Sequence, residues 1–223
     1  MPTCPENTLA AARRPAEPHG RGDGACLLTL NSLPADFGPS AVCLGTFDGV
    51  HRGHRALISA CLEAAGEKGL TPCAYTFDFP PAAVLSGRKV PLLSSIEEKA
   101  QLMALCGMNT VVWSHFDESI SARSAEDFFN GLLLEKLHAR HIVIGFHYHF
   151  GRKAEGNADR MRELCALHGI GLTVVPPVTL PSGEVISSTA VRTALLEGNR
   201  ARAAELLGRP LTEQEESLLS ASV

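Results

Sequence analysis

Cys43-Leu-Gly-Thr-Phe-Asp-Gly-Val-His-Arg-Gly-His54 is the stretch whose reading decides the fold. The apolar run Ala41 to Leu44 hands directly into a Gly-rich turn at Gly45 to Gly49, and the helical spacing of Leu57, Ile58, Cys61, Leu62 and Ala65 takes over only after His54. Strand, loop and helix in that order aim backbone N–H groups at an anion, because the first turn of a helix leaves its N–H groups without helical partners. Gly45 and Gly49 are free to take φ > 0 and have no Cβ to hold a ligand away. His51 and His54 lie three apart, so on a first helical turn they share one face. Two imidazoles beside a helix N-terminus can donate N–H bonds to a triphosphate as charge develops on it. A Gly-rich turn alone is common in α/β proteins, and a single histidine near a helix start is often plain polar surface. The joint pattern Gly-x-Phe-Asp-Gly-x-His-x-Gly-His is far more restrictive.

A second stretch makes a related argument from the other end of the chain. In Pro181-Ser-Gly-Glu-Val-Ile-Ser-Ser-Thr-Ala-Val-Arg192, three hydroxyl residues, Ser187, Ser188 and Thr189, stand just before the apolar-periodic helix of Val191, Leu195 and Leu196. Capping needs only one such side chain. A helix N-terminus with clustered hydroxyls, and with Arg192 three residues past Thr189 on the same face, also reads as an anion site in which the guanidinium binds phosphate in a bidentate way.

Cys43 to His54 closely resembles the first motif of the HxGH nucleotidyltransferases, specifically the bacterial FAD synthetases, and Ile186-Ser-Ser-Thr-x-x-Arg192 resembles that family's second signature. The resemblance runs from about Leu28 to Pro210. It implies a Rossmann-like nucleotidyltransferase fold and the reaction of ATP with FMN to give FAD and pyrophosphate. His51, His54 and Arg192 would be the catalytic residues, with Gly45, Thr46, Phe47, Asp48, Gly53, Ser187, Ser188 and Thr189 around ATP and Mg²⁺ bridging its phosphates. Gly145-Phe-His-Tyr-His-Phe-Gly151, followed by Gly156-Asn157, resembles the family's Gly-x-Asp/Asn-Phe-x-Phe-Gly loop. By that likeness His147, Tyr148, Phe150, Gly151 and Asn157, together with Asp78, would form the FMN site. Tyr148 and Phe150 keep the aromatic character suited to an isoalloxazine ring.

The chain also departs from the family pattern. Thr76-Phe-Asp-Phe-Pro-Pro81 stands where the family has Thr-Phe-Asp/Glu-Pro-His/Asn-Pro, so Asp78 matches while Phe79 and Pro80 do not. His147 occupies the acid or amide position, and His149 the position that is often Arg. Asp or Asn accepts hydrogen bonds where a neutral imidazole offers one donor and one acceptor. Two further readings therefore stay open: transfer to a different phosphate acceptor, and a non-catalytic flavin or nucleotide binder. Joint retention of His51, His54, Ser188, Thr189 and Arg192 favours an enzyme. Leu206-Leu-Gly-Arg-Pro210 is where bifunctional family members pass into a riboflavin kinase domain, and no Pro-Thr-Ala-Asn kinase signature follows. The expectation is that a separate riboflavin kinase supplies FMN.

Bulk properties bound the rest. A net charge of −4 and an isoelectric point near 6.1 offer no basic field for nucleic acid. No apolar run is long enough for a membrane span and no apolar segment follows Arg13 and Arg14 as in a secretory signal, so a cytoplasmic protein is expected. The seven scattered cysteines, with no Cys-x-x-Cys pair, read as small buried residues rather than a disulfide framework. His138, His141, His147 and His149 raise the question of a metal, but no Cys or acid stands at suitable spacing to complete a zinc site, and none is expected.

Alternating strands and helices argue an α/β fold with a mostly parallel sheet covered on both faces, and ligands at the carboxyl ends of its strands. Residues 1–24 read as a disordered lead, 25–210 as the nucleotidyltransferase domain and 211–223 as a helical tail. Within the domain, Ser94 with Glu97, or Ser95 with Glu98, makes a capping box for a helix reaching about Cys106, with Leu102, Leu105 and Cys106 as its buried stripe. Ser124 with Asp127 opens another helix running through Leu137.

Overall fold

A computed structural model describes residues 25–87 and 90–220; the expected N-terminal lead, residues 1–24, lies outside them. The elements in chain order are β1 (Cys26–Thr29), β2 (Ser40–Leu44), α1 (Arg52–Lys68), β3 (Thr71–Phe77), α2 (Pro81–Ser86), α3 (Ile96–Ala104), β4 (Thr110–Ser114), α4 (Glu118–Ser121), α5 (Ala125–Asp127), which continues as a π-helical segment (Phe128–Lys136), β5 (Ala139–Gly145), α6 (Ala158–His168), β6 (Gly171–Val175), α7 (Ser188–Leu196), α8 (Arg200–Leu207) and α9 (Glu213–Ser220).

The six strands form one sheet in the order β1-β4-β3-β2-β5-β6, and every pairing is parallel. Successive side chains of a strand point to opposite faces. Along β2, Val42 and Leu44 pack on one side with Cys73, Tyr75, Ile142 and Ile144, beneath α6 and the π-helical segment. Ala41 and Cys43 pack on the other with Ala74 and Val143, beneath α1 and α3. A sheet buried on both faces needs the continuous apolar runs that the sequence carries. A third cluster, Leu93 with Ile186, Val191, Leu195, Leu206 and Leu207, packs α7 and α8 together with the segment before α3, and Leu218 and Leu219 of α9 pack against it.

From β2 the chain steps outward through β3 to β4, then crosses back to lay β5 on the opposite side of β2. The strand order reverses there, and the loops after β2 and β5 leave the same edge of the sheet on either side of the reversal, which is where open α/β sheets hold their ligands.

Two local expectations are corrected, and one left between two pairs is resolved. Helix α1 starts at Arg52 rather than after His54, because His51 itself is the N-cap and its Nδ1 accepts the His54 N–H. The box opening α3 is the Ser95–Glu98 pair, each side chain bonded to the other's backbone N–H. Its buried stripe is Lys99, Ala100 and Met103, while Leu105 is 84% exposed. Leu105 is already the C-cap, so it has left the face that Ile96 to Ala104 turn inward.

Candidate active site

The loop after β2 is held in a conformation that side chains rarely tolerate. Phe47 (φ 47°), Gly49 (φ 79°) and Val50 (φ 40°) are left-handed, and Gly45 is not among the residues with positive φ. Glycine is needed at Gly45 for another reason, since a Cβ there would stand 3.1 Å from the Phe47 ring. A non-glycine residue in this region costs on the order of 1–3 kcal/mol and persists only where its surroundings over-determine it. Those surroundings converge on Asp48, whose side chain is fully buried. Its Oδ1 accepts from Leu93 N (3.0 Å), Ser94 N (3.1 Å) and Ser94 Oγ (3.4 Å). Its Oδ2 accepts from Arg192 Nη2 at 2.5 Å, and its backbone carbonyl accepts from Ser188 Oγ at 2.9 Å. Gly49 N donates to Ser94 Oγ (3.0 Å), and Thr76 Oγ1 donates to the Thr46 carbonyl (3.0 Å). The two signature stretches are thereby tied to each other through one carboxylate. Asp48 lies behind the site rather than facing it.

The loop delivers His51 and His54 as a stacked pair, ring centroids 3.6 Å apart and 16° from parallel. With His51 Nδ1 accepting the capping bond, the neutral ring carries its proton on Nε2 and can donate there. Burial is the main cause that lowers the His51 pKa to about 4, with the Arg192 charge adding to it. Burial likewise holds His54 well below the ordinary histidine value, helped by His51 and Lys99. Both imidazoles are neutral near pH 7. His54 Nδ1 is buried with no hydrogen-bond partner among the described residues.

The first turn of α7 stands against this pair. A Cβ on Gly53 would meet the His51 ring at 3.2 Å and the Ile186 carbonyl at 3.7 Å, so α1 begins against the segment that enters α7. Ser187 is the N-cap, its Oγ accepting from Ala190 N at 3.2 Å, while Thr189 is exposed. Arg192 is not a free bidentate fork. Its Nε donates to the Pro91 carbonyl (2.9 Å) and its Nη2 to Asp48, which leaves Nη1 without a bond among the described residues.

Beside β2, the end of β3 carries Asp78, whose Oδ2 lies 2.5 Å from His115 Nδ1 on the loop after β4. Pro80 and Pro81 start α2, with Pro80 at its N-cap. Sequence reasoning missed Lys99, which is fully buried with Nζ donating to the Phe77 carbonyl at 2.9 Å. Burial lowers its pKa to about 8, while Asp48 and Asp78 pull it back up. The signal was available as a lysine beside Ala100 and four residues before Met103, on the buried face of its helix.

On the other side of β2, the loop after β5 separates its expected residues. Phe150 is buried against Phe128, with ring centroids 5.6 Å apart, so it supports the loop from below. Tyr148 is partly buried and lies nearly parallel to Phe150, while Phe146 and His147 are exposed. Asn157 is the N-cap of α6, its Oδ1 accepting from Arg160 N. Gly151 takes φ 76°, and a Cβ there would stand 2.8 Å from Ala125 N, so this glycine lets the loop lie on the start of α5. The other histidines have separate partners: His141 Nε2 is 2.8 Å from Thr173 Oγ1, and His149 Nδ1 is 3.0 Å from the His147 carbonyl. Among the described residues, no three His, Cys, Asp or Glu side chains converge to hold a metal ion.

Two outcomes are expected. Asp48→Asn strands a nearly buried guanidinium and should cost on the order of 3 kcal/mol in urea unfolding, as when one partner of a buried pair is removed. Arg192→Met should cost less, because Asp48 keeps its three other donors; the reverse order would overturn the central role given to Asp48. The second outcome concerns pH. The unfolded chain binds protons at His51 below about 6.5, and the folded chain only near 4, so stability is retained above 6.5 and falls as pH drops through that window. His51 alone should remove about 1.5 kcal/mol between pH 6.5 and 5, at about 1.4 kcal/mol per unit. His51→Asn keeps a capping acceptor and should lose correspondingly less; equal losses would contradict a neutral buried His51.

Comparison with known proteins places this geometry. A family profile described as FAD synthetase matches residues 33–190. A bifunctional riboflavin kinase/FMN adenylyltransferase of Listeria monocytogenes serovar 1/2a (strain ATCC BAA-679 / EGD-e) is 39% identical over 173 residues, 77% of this chain and 54% of the relative. The protein of the same name from Escherichia coli (strain K12) is 35% identical over 169 residues, 75% of this chain and 53% of the relative. The chain thus spans about half the length of these curated relatives. A crystal structure described as a macrolide-efflux protein from Streptococcus pneumoniae matches with a TM-score of 0.72 at 28% identity, covering 84% of this chain and 63% of that one. Among the described residues, no helix is long and apolar enough to cross a membrane. The profile runs without a break through the loops after β2 and β5 and into the first turn of α7, and the chain belongs to the FAD synthetase family.

Proposed function

We propose that the chain is an FMN adenylyltransferase, transferring AMP from ATP to FMN to give FAD and pyrophosphate. The observation that carries this reading is the pairing of two helix N-termini, those of α1 and α7, around one buried carboxylate, with two neutral imidazoles at the first. Such an arrangement presents uncharged N–H donors and backbone amides to a polyphosphate. It offers no protein nucleophile, and direct transfer requires none.

In the reaction, an oxygen of the FMN phosphate attacks the α-phosphorus of ATP in line. The new P–O bond forms as the bond to the bridging oxygen breaks, and pyrophosphate leaves. Catalysis is then positioning plus stabilisation of charge on the phosphoryl oxygens. Nε2–H of His51 and the His54 ring donate to those oxygens, and their neutrality costs no proton at pH 7. The first turn of α7 and the remaining N–H groups of Arg192 receive the departing pyrophosphate. ATP is taken as its Mg²⁺ complex, in which the ion would offset phosphate charge; the Asp48 carboxylate, engaged by protein donors on both oxygens, would not hold it. FMN lies across the loops after β3 and β5, beside Asp78, His147 and Tyr148. In this reading the chain works in the cytoplasm, and FMN comes from a riboflavin kinase, on whichever polypeptide that activity resides.

Purified chain should form FAD from FMN, ATP and Mg²⁺, followed by chromatography, and none from riboflavin and ATP. His54→Ala should lower kcat on the order of 10²-fold, the scale for losing one preorganised donor. A phosphorylated acceptor turned over faster than FMN would reassign the substrate, and an unchanged kcat would remove His54 from the mechanism.

A further inference from the structure

The segment that follows α8 lies beyond the 33–190 family match, yet it grips the loop that presents the histidines. Gly208, left-handed at φ 70°, ends α8 against the start of α1, where a Cβ would meet Arg52 Cγ at 2.7 Å. Arg55 Nη1 donates to the Gly208 carbonyl at 3.3 Å. The next residue, Arg209, forms a two-pronged pair with Glu215, Nη1 to Oε2 at 2.8 Å and Nη2 to Oε1 at 2.7 Å. The same Nη2 donates to the Gly49 carbonyl at 2.7 Å. The carboxylate of Glu215 is fully buried and also accepts from Thr212 N (2.9 Å), while Thr212 Oγ1 accepts from Glu215 N (3.3 Å), a reciprocal cap that opens α9. Gln214 Nε2 donates to the Leu92 carbonyl at 2.9 Å, beside the Leu93 and Ser94 amides that bind Asp48.

The loop is therefore gripped from two sides. Asp48 and Ser94 hold it from within, and the 208–215 segment holds it from the C-terminal side, at the left-handed Gly49 that immediately precedes Val50 and His51. A buried, hydrogen-bonded ion pair whose third contact is a strained catalytic loop has a use beyond stability. We propose that Arg209 and Glu215 are positioning residues for adenylyl transfer, fixing the Gly49 carbonyl so that His51 and His54 meet the phosphates in one orientation. The inference rests on the adenylyltransferase reading given above. Arginine is required because its planar fork serves the carboxylate and the carbonyl together, which the point charge of a lysine cannot do.

The test is steady-state kinetics of the full chain with FMN and MgATP. Arg209→Met should lower kcat on the order of 10-fold, since small misplacement of reacting groups is costly, with KM for FMN changed less than about twofold. Arg209→Lys should recover part of that loss. Glu215→Gln, which retains the cap on Thr212 N, gives the same readout if Arg209→Met is too unstable to assay. Arg200→Met breaks the Arg200–Glu216 pair between α8 and α9 without touching the loop, and should leave kcat unchanged. In a cycle with His51→Asn, the Arg209→Met loss should largely vanish, because residues that act through one another are not additive. Unchanged kcat per folded molecule, or full additivity with His51→Asn, would overturn the proposal. Absence of FAD formation by the unaltered chain would overturn the adenylyltransferase reading instead.

Discussion

The site depends on burying one carboxylate. Asp48 occupies the bend between a strand of the central sheet and the first helix, and a charge there needs donors on every side. It finds them in the Leu93 and Ser94 amides, the Ser94 hydroxyl and the Arg192 guanidinium. Satisfying that charge fixes three separate pieces of chain at once and holds Phe47, Gly49 and Val50 left-handed. The same requirement that stabilises the buried ion therefore shapes the loop that carries His51 and His54. The strain in the loop is maintained by bonds whose loss would leave a charge unpaired, a stronger constraint than packing alone.

The electrostatics of the pair follow from the same enclosure. Stacked imidazoles 3.6 Å apart would repel if both were charged, and burial removes the water that could offset that repulsion. Neutral rings give up coulombic attraction for an anion and keep directed N–H donors. Positive charge is instead placed at Arg192, held by Asp48, and at the backbone ends of two helices. Donors fixed in this way need no reorganisation to meet an anion.

Much of this was legible in the chain, and the illegible part has a common cause. The continuous apolar run Ala41 to Leu44 announced a strand buried on both faces, and the hydroxyl cluster Ser187 to Thr189 announced the start of α7, where Ser187 is the cap. The start of α1 was misread because histidine is an unusual capping acceptor, and periodicity reports only apolar positions. The stripe of α3 was misread because apolar spacing alone selects Leu102, Leu105 and Cys106, whereas the inward face also carries Lys99, buried on the Phe77 carbonyl. The bonds of Asp48 were not legible because its partners lie 45, 46 and 144 positions away. Local pattern fixes elements; it does not report which distant donors meet.

Those separations bear on the order in which the loop is completed during synthesis. A chain emerging N-terminus first can complete all six strands by Val175, and the sheet with its two covering layers is then in reach of a stable core. The motif loop at that stage has neither Ser188 nor Arg192 on Asp48, nor Arg209 on Gly49, contacts spanning 140, 144 and 160 residues. Long-range contacts form only after the chain between them has been ordered. His51 and His54 thus stand on a loop whose remaining partners come with the last helices to arrive, and a folded sheet without that closing segment carries the family's motif on a loop that lacks those holds.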